Sequence, residues 1–235
     1  MTNTSTALVT GANKGIGKQI ARLLAEEGFR VYASARDPQR GAEAVAGIPG
    51  DVRFVQLDVT DPASVAAAAK EVGELDVLVN NAGILVGGAN PAEAAVDDFR
   101  RTYETNVFGV LAVTNAFLPA LRRSACPRIV NISSGTGSMT QSAAEAFAAT
   151  GGSGAAYRSS KTALNAITLF YAQALPGFRV NALAPGLRRT DLNERAQQAD
   201  GDPAEAAAGA VRLALLGDDG PTGGFFSWDG RTVPW

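Results

Sequence analysis

Short apolar segments alternate along this chain with longer Ala- and Leu-rich segments, and this alternation limits the folds that are open to it. The apolar segments are nearly continuous, which is typical of strands covered on both faces in a parallel sheet. We predict strands at residues 7–10, 31–34, 52–57, 77–80, 128–132 and 179–183, with a seventh at Phe225 and Phe226. Strand–helix alternation of this kind predicts an α/β fold, a doubly wound, Rossmann-like parallel sheet with helices on both faces.

The length of the chain fits one unit of this kind. Its 235 residues show no internal repeat and no linker. α/β folds often exceed the usual domain size without dividing. We therefore expect residues 1–235 to form a single domain.

The composition excludes several kinds of chemistry. The chain has no His, which excludes Ser–His–Asp and Cys–His catalysis and His-bearing zinc sites. A single cysteine, Cys126, excludes an intrachain disulfide and a thiolate cluster. Acid–base chemistry must therefore use Tyr, Lys, Asp or Glu, and we predict no metal site.

Charge and hydropathy argue against nucleic-acid and membrane partners. The net charge of −2 argues against nucleic acid, because nucleic-acid-binding proteins usually carry a basic stripe. The apolar stretches are too short to span a membrane, and residues 1–5 lack the features of a secretion signal. We expect a cytoplasmic protein that does not bind membranes.

A glycine-rich turn joins the first predicted strand to the first helix. It reads Thr10-Gly11-Ala12-Asn13-Lys14-Gly15-Ile16-Gly17. Gly11 would allow the tight turn, Gly15 a close approach to a pyrophosphate, and Gly17 close helix–strand packing. Free N–H groups at the helix N-terminus would bind the anion. The spacing differs from Gly-x-Gly-x2-Gly and from an NTPase phosphate loop, and the alternative is an ordinary strand–helix turn.

Further motifs follow in order, and with this turn they resemble the short-chain dehydrogenase/reductase family over nearly the whole chain. They are Leu57-Asp58-Val59-Thr60, Asn80-Asn81-Ala82-Gly83, Asn106, Ser133-Ser134, Tyr157-Arg158-Ser159-Ser160-Lys161 and Ala184-Pro185-Gly186 with Thr190. Each motif is weak alone, but chance is a poor explanation for their shared order and spacing.

The resemblance implies reduction of a carbonyl group with Tyr157 as the proton donor. A Tyr with its ordinary pKa of about 10 is a poor acid–base group at neutral pH unless a cation stabilises the phenolate. Lys161, four residues later, would share a helix face with Tyr157; the family implies that it also holds the nicotinamide ribose. Ser134, rather than Ser133, would polarise the substrate oxygen. Asn106 would hold a water that supplies protons to Lys161, or would serve packing or capping.

The end of the second strand indicates NADPH rather than NADH. Ala35 stands where NAD-specific family members place Asp, and Arg36 follows. Arg36 would bind the 2′-phosphate through two N–H groups, with Lys14 and Arg40 as further cations. The alternatives are that Asp37 pairs with Arg36 or that Asp37 faces the ribose.

The resemblance also implies the other coenzyme contacts, with hydride transfer from the B face of the nicotinamide. Asn13 and Ile16 belong to the glycine-rich turn. Asp58 and Val59 would contact adenine, and Asn81, Ala82 and Gly83 the ribose of the adenosine. Pro185, Gly186 and Thr190 would abut the nicotinamide, with Thr190 binding its carboxamide.

The chain departs from most family members in one region. Ser134 and Tyr157 lie 23 residues apart, against about a dozen in most members, so residues 135–156 form an insert that includes a helix-like run at 142–149. Residues 187–222 form a short substrate-side segment. Carbonyl-reductase-like members share these features, and in them the insert covers the helices that others use to form tetramers. We expect a monomer or small homo-oligomer, with Met139 as a candidate pocket residue and Trp228 in the pocket or the core.

Three functions compete at this point. The first is NADPH-dependent reduction of a ketone, aldehyde or quinone. The second is the same chemistry on a carrier-bound 3-oxoacyl group, for which Arg188, Arg189 and Arg195 could supply a basic patch. The third is a non-catalytic NADP-sensing module, which would have no need for the set of Asn106, Ser134, Tyr157 and Lys161.

Overall fold

A computed structural model describes residues 4–144 and 148–235. In these ranges seven parallel strands form one sheet in the order β3-β2-β1-β4-β5-β6-β7. The strands are β1 (Thr6–Val9), β2 (Arg30–Ala35), β3 (Val52–Gln56), β4 (Val77–Asn80), β5 (Arg128–Ile132), β6 (Arg179–Ala184) and β7 (Phe225–Ser227). The predicted strands and fold class are confirmed, with ends that differ by no more than one residue for the first six.

β1 lies inside the sheet and pairs with β2 on one side and β4 on the other. Ala7 lies opposite Val31 of β2 and Val77 of β4. The chain therefore winds outward in two directions from the pair of β1 and β4. In open parallel sheets, ligands bind at such a reversal, outside the carboxyl ends of the strands.

Helices connect the strands. They are α1 (Gly15–Glu26), α2 (Pro38–Val45), α3 (Pro62–Val72), α4 (Val96–Tyr103), α5 (Gly109–Leu121), α6 (Met139–Ser142), α7 (Ala155–Ala174), α8 (Glu194–Gln197) and α9 (Pro203–Ala214). Local sequence sets several ends. Asp61 caps α3 by accepting a hydrogen bond from the Ala63 amide, with Pro62 in the first turn. Gly28 follows the end of α1 with a φ of +85°, a conformation that glycine adopts without strain.

Alternate residues of β1 enter separate cores on the two faces of the sheet. Ala7 and Val9 belong to a buried cluster that contains Ile20 of α1 and Leu213 of α9. Leu8 belongs to a second cluster, which contains residues of α3 and α5. Because successive side chains of a strand point to opposite faces, helices cover both sides of the sheet.

Two irregular segments lie beside the carboxyl ends of the strands. A π-helix, Glu104–Phe108, joins α4 to α5, and a single 3-10 turn, Gly135–Gly137, follows Ser134. The helix-like run predicted at 142–149 begins where α6 ends; its residues 145–147 lie outside the described residues. Within 4–144 and 148–235, no helix combines the length and apolar character that crossing a bilayer requires.

Candidate active site

The glycine-rich turn has the conformation that its sequence predicts. Gly11 and Gly15 have φ values of +63° and +56°, which disfavour residues with a Cβ. A Cβ on Gly17 would overlap the side-chain amide of Asn81. That amide donates to the carbonyls of Thr10, at 2.8 Å, and Gly11, at 3.1 Å. Asn81, predicted to lie near the ribose, therefore also fixes the turn.

The turn forms one end of a crevice of about 940 Å³ along the carboxyl ends of the strands. Every residue predicted to bind the coenzyme lines it except Gly186, and so do the predicted catalytic residues Tyr157 and Lys161. Asn106 and Ser134 lie outside its lining. Predicted lining residues are Gly11, Asn13, Lys14, Gly15, Ile16, Gly17, Arg36, Arg40, Asp58, Val59, Asn81, Ala82, Gly83, Tyr157, Lys161, Pro185 and Thr190.

The end of β2 presents Arg36 to this crevice. Ala35, beside it, is buried and carries no carboxylate. The Asp37 carboxylate accepts a hydrogen bond from the Arg40 amide at 3.0 Å and caps α2, and it lies 3.7 Å from Arg40 Nε. In the described residues Arg36 and Asp37 form no ion pair, so the pairing considered from the sequence is not formed.

Lys14 has a partner that the sequence did not indicate. Its Nζ lies 3.0 Å from Oδ2 of Asp191, and both side chains are more than half exposed. A Cβ on Gly15 would lie 3.4 Å from the methyl group of Thr190. The loop after β6 therefore reaches across the crevice to the glycine-rich turn.

Tyr157 lies in the first turns of α7 and faces the crevice. Burial raises the pKa of its phenol to about 12, and a hydrogen bond with Ser134 acts in the opposite direction. The phenol is therefore protonated at neutral pH, which is the form that a proton donor requires.

Lys161 lies one turn further along α7 and is almost completely buried. Its Nζ donates to the carbonyl of Ile132 at 2.9 Å and lies 5.6 Å from the centre of the Tyr157 ring. Burial lowers the pKa of Lys161 to about 8. Burial outweighs the other effects on the pKa of Tyr157, and Lys161 Nζ is directed at a carbonyl, so stabilisation of the phenolate by this ammonium stays a prediction.

The two serines after β5 have different partners. Ser133 is buried and donates to Asn165 Oδ1 at 2.6 Å. Ser134 hydrogen-bonds the Tyr157 phenol and lies 2.9 Å from the Thr136 hydroxyl. Successive side chains of an extended segment point in opposite directions, so only Ser134 reaches the phenol.

Comparison with known proteins identifies the family. The sequence model of the family described as short chain dehydrogenase matches residues 5–201. This chain belongs to the short-chain dehydrogenase family. As a member of that family, it is an oxidoreductase.

Several relatives of this dehydrogenase match nearly all of it. Salutaridine reductase from Papaver bracteatum is 34% identical, with 94% of this chain and 93% of the relative covered. (+)-Neomenthol dehydrogenase from Arabidopsis thaliana is 36% identical over 94% of this chain and 95% of the relative. The crystal structure of NADPH-bound carbonyl reductase from chicken fatty liver is 32% identical with a TM-score of 0.86, covering 99% of this chain and 100% of that one. The alignment with salutaridine reductase spans 291 positions against 235 residues here, so that relative carries segments that this dehydrogenase lacks.

In this dehydrogenase the Asn106 side chain is held by protein groups. Its Nδ2 donates to the Ile84 carbonyl at 2.9 Å and to Ser160 Oγ at 3.0 Å, and its Oδ1 accepts from the Ile84 amide. These hydrogen bonds are those expected if the Asn106 side chain serves packing, the alternative considered from the sequence. A Cβ on Gly83 would lie 3.3 Å from Asn106 Oδ1 and 3.5 Å from Lys161 Nζ. Both polar groups therefore lie close to Gly83. Asn106 lies within the π-helix, a distortion often found at functional sites; its role in proton supply stays a prediction.

Three residues that the sequence placed near the nicotinamide or the substrate do not line the crevice. They are Gly186, Arg188 and Met139. Gly186, predicted to abut the nicotinamide, has a φ of +68°, and a Cβ there would lie 3.2 Å from the Trp228 ring. Arg188 is buried, stacks on Trp228 at 4.2 Å and lies 3.6 Å from the Glu205 carboxylate. Met139 is 61% exposed and does not line the crevice, contrary to its consideration as a pocket residue.

The sequence did not single out several residues that line the crevice. Ile84 and Leu85 follow the Asn81-Ala82-Gly83 motif, and Leu192 follows Thr190. Apolar residues directly after a recognised motif were the only available signal. The lining also contains the charged side chains of Arg100, Arg101 and Glu104, so this part of the crevice is mixed in polarity.

Proposed function

We propose that this dehydrogenase reduces a carbonyl group of a small molecule to an alcohol with NADPH, and that Tyr157 donates the proton. The observation that carries the proposal is the position of the Tyr157 phenol. It faces the crevice, lies near enough to Ser134 for that hydroxyl to lower its pKa, and lies one helical turn from the buried ammonium of Lys161.

The residues at the crevice fit NADPH. The glycine-rich turn offers a cradle in which a Cβ on Gly11 would lie only 3.0 Å from Ala82 Cα. Arg36 lines the far end beside Ala35, where a carboxylate would otherwise repel a phosphate. A planar guanidinium is suited to two parallel hydrogen bonds with a 2′-phosphate. The likeness to an NADPH-bound carbonyl reductase supports this coenzyme.

The chemistry follows from the roles of three side chains. When bound, NADPH supplies a hydride to the carbonyl carbon. The Ser134 hydroxyl donates to the carbonyl oxygen and polarises the C=O bond. Tyr157, protonated because its pKa is about 12, transfers its proton to the same oxygen. Lys161, largely an ammonium at neutral pH with a pKa of about 8, stabilises the phenolate that remains.

The environment of Arg188 favours a small-molecule substrate over a carrier-bound one. Of the three arginines considered for a carrier surface, Arg188 is buried between Trp228 and Glu205 and unavailable to an acidic partner. Apolar Ile84, Leu85 and Leu192 line the crevice and could contact an apolar substrate, although Arg100 and Arg101 line it too. The names of two relatives, a salutaridine reductase and a neomenthol dehydrogenase, are in keeping with a compact ketone or alcohol.

The test compares wild type with Tyr157→Phe. NADPH oxidation is measured against ketones, aldehydes, quinones and acyl thioesters, and NADPH binding is measured separately by fluorescence. We expect turnover of at least one ketone, a loss of about 1,000-fold in Tyr157→Phe, and unchanged NADPH binding. Tyr171→Phe is the matched control, because Tyr171 lies on the same helix and its hydroxyl donates to Asn115 Oδ1.

Two results would contradict the proposal. NADPH binding without wild-type turnover of any carbonyl would indicate a sensing module. Turnover restricted to acyl thioesters would indicate the carrier-bound reaction.

A further inference from the structure

The turn after Ser134 holds the hydroxyl of that serine by two contacts. The Thr136 amide donates to Ser134 Oγ at 3.2 Å, and the Thr136 hydroxyl lies 2.9 Å from the same oxygen. A serine hydroxyl has one proton and two lone pairs. When Thr136 donates through both groups, the Ser134 proton is left to point at the phenol or at a substrate oxygen.

The same turn lies directly against the helix that carries Lys161. A Cβ on Gly137 would come within 2.8 Å of the Lys161 carbonyl carbon and 2.9 Å of its oxygen. Glycine alone allows this approach without displacement of the backbone. A shift of the turn would therefore change the position of Ser134 relative to α7.

Residues far along the chain anchor the next segment. The buried Ser138 donates from Oγ to the Pro234 carbonyl at 2.6 Å. The amide and hydroxyl of Thr140 both donate to the main-chain oxygen of Trp235, at 3.1 and 2.7 Å. We call the set of Ser138, Thr140, Pro234 and Trp235 the Trp235 clasp.

The clasp connects to the edge of the sheet. The Trp235 ring stacks on Phe225, with centroids 5.3 Å apart and planes 18° apart. Phe225 is fully buried in β7 and lies opposite Ala182 of β6. An aromatic pair of this kind adds about 0.5–1.5 kcal/mol beyond its buried area. The Ser134 turn is thus linked through Trp235 to the buried Phe225 of the last strand.

We propose that Trp235 is a positioning residue for the reaction. It holds the segment after Ser134 so that Thr136 orients the Ser134 hydroxyl toward the substrate oxygen. The inference rests on the proposed function, because it requires Ser134 to act on that oxygen. A displacement of about 1 Å in a reacting group can lower a rate by up to about a hundredfold, so a distant anchor is able to affect kcat.

A double-mutant cycle tests the proposal. Trp235→Ala is expected to lower kcat for a ketone by about tenfold, with little change in the Kd for NADPH. In a Ser134→Ala background the same change should lower kcat no further, because its effect passes through Ser134. Trp235→Phe, which keeps an aromatic ring on Phe225, should recover most of the rate. Arg231→Ala, an exposed change in the same segment, is the control.

Amide hydrogen exchange provides a readout that does not depend on turnover. In Trp235→Ala we expect faster exchange at Gly137, whose amide donates to the Ser134 carbonyl, and at Thr140, with β5 unchanged. A full tenfold loss of kcat in the Ser134→Ala background, or unchanged exchange at both amides, would overturn the clasp proposal. Absence of any wild-type turnover would instead overturn the proposed function, and exchange alone would then decide whether the clasp holds this turn.

Discussion

The two halves of the crevice are built differently. On the coenzyme side, residues directly after β1 and β4 hold one another: the Thr10 hydroxyl accepts from the Asn81 and Ala82 amides at 2.9 Å. On the reacting side, the turn after β5 is held by Pro234 and Trp235, which follow the last strand. The core of the coenzyme side is therefore formed by residues that follow two neighbouring strands. The reacting side depends on contacts between loops, which is where a common fold acquires different substrates.

The reacting side should respond to pH, and this is the largest effect that we expect from the difference between the two sides. Burial lowers the pKa of Lys161 to about 8 and raises that of Tyr157 to about 12. Both groups are protonated below pH 8, and only Lys161 loses its proton between pH 8 and 12. With saturating NADPH, kcat/KM for reduction should be nearly constant from pH 6 to 7 and fall about tenfold per pH unit above pH 8.

A substitution at Lys161 distinguishes deprotonation of this side chain from a general loss of protein stability at high pH. Lys161→Arg keeps a cation throughout this range, so its profile, at whatever absolute rate, should lack the fall near pH 8. The same fall in both proteins would show that another group controls it. A wild-type profile that stays level to pH 10 would show that no loss of charge at Lys161 limits the reaction in this range.

The fold was predictable from sequence because its signals are local. Continuous apolar runs mark the strands, and Gly11 and Gly15 mark a turn whose φ values only glycine readily adopts. The partners within the site were not predictable. Lys14 and Asp191 are separated by 177 positions, and Thr140 and Trp235 by 95. No spacing in a single sequence encodes such pairs, and the pKa values depend on burial that only the assembled fold creates.

The coenzyme side should respond to the loss of one charge at its far end. Arg36→Ala removes the guanidinium that we expect at the 2′-phosphate, while Asp37 continues to cap α2. NADPH binding should weaken by about 10- to 100-fold, as expected for a charge-assisted hydrogen-bonded pair, with NADH binding changed little. Titration of both coenzymes measures this.

Arg40→Ala is the matched control with a smaller expected loss, because Arg40 is 74% exposed and lies near Asp37. Equal losses of affinity for NADPH and NADH would show that Arg36 does not contact the 2′-phosphate.

The smallest expected effect concerns the ion pair that joins the two sides. Lys14 and Asp191 are both more than half exposed, and such pairs contribute only about 0–1 kcal/mol. The ion pair nevertheless engages Lys14, a cation that the sequence predicts to bind the coenzyme phosphate. Asp191→Asn should release Lys14 and tighten NADPH binding by about threefold at low salt, with the gain disappearing as salt is raised. In a Lys14→Met background the same substitution should then have no effect. If it tightens binding equally there, Asp191 repels the coenzyme directly, and the loop after β6 meets the glycine-rich turn without controlling the availability of Lys14.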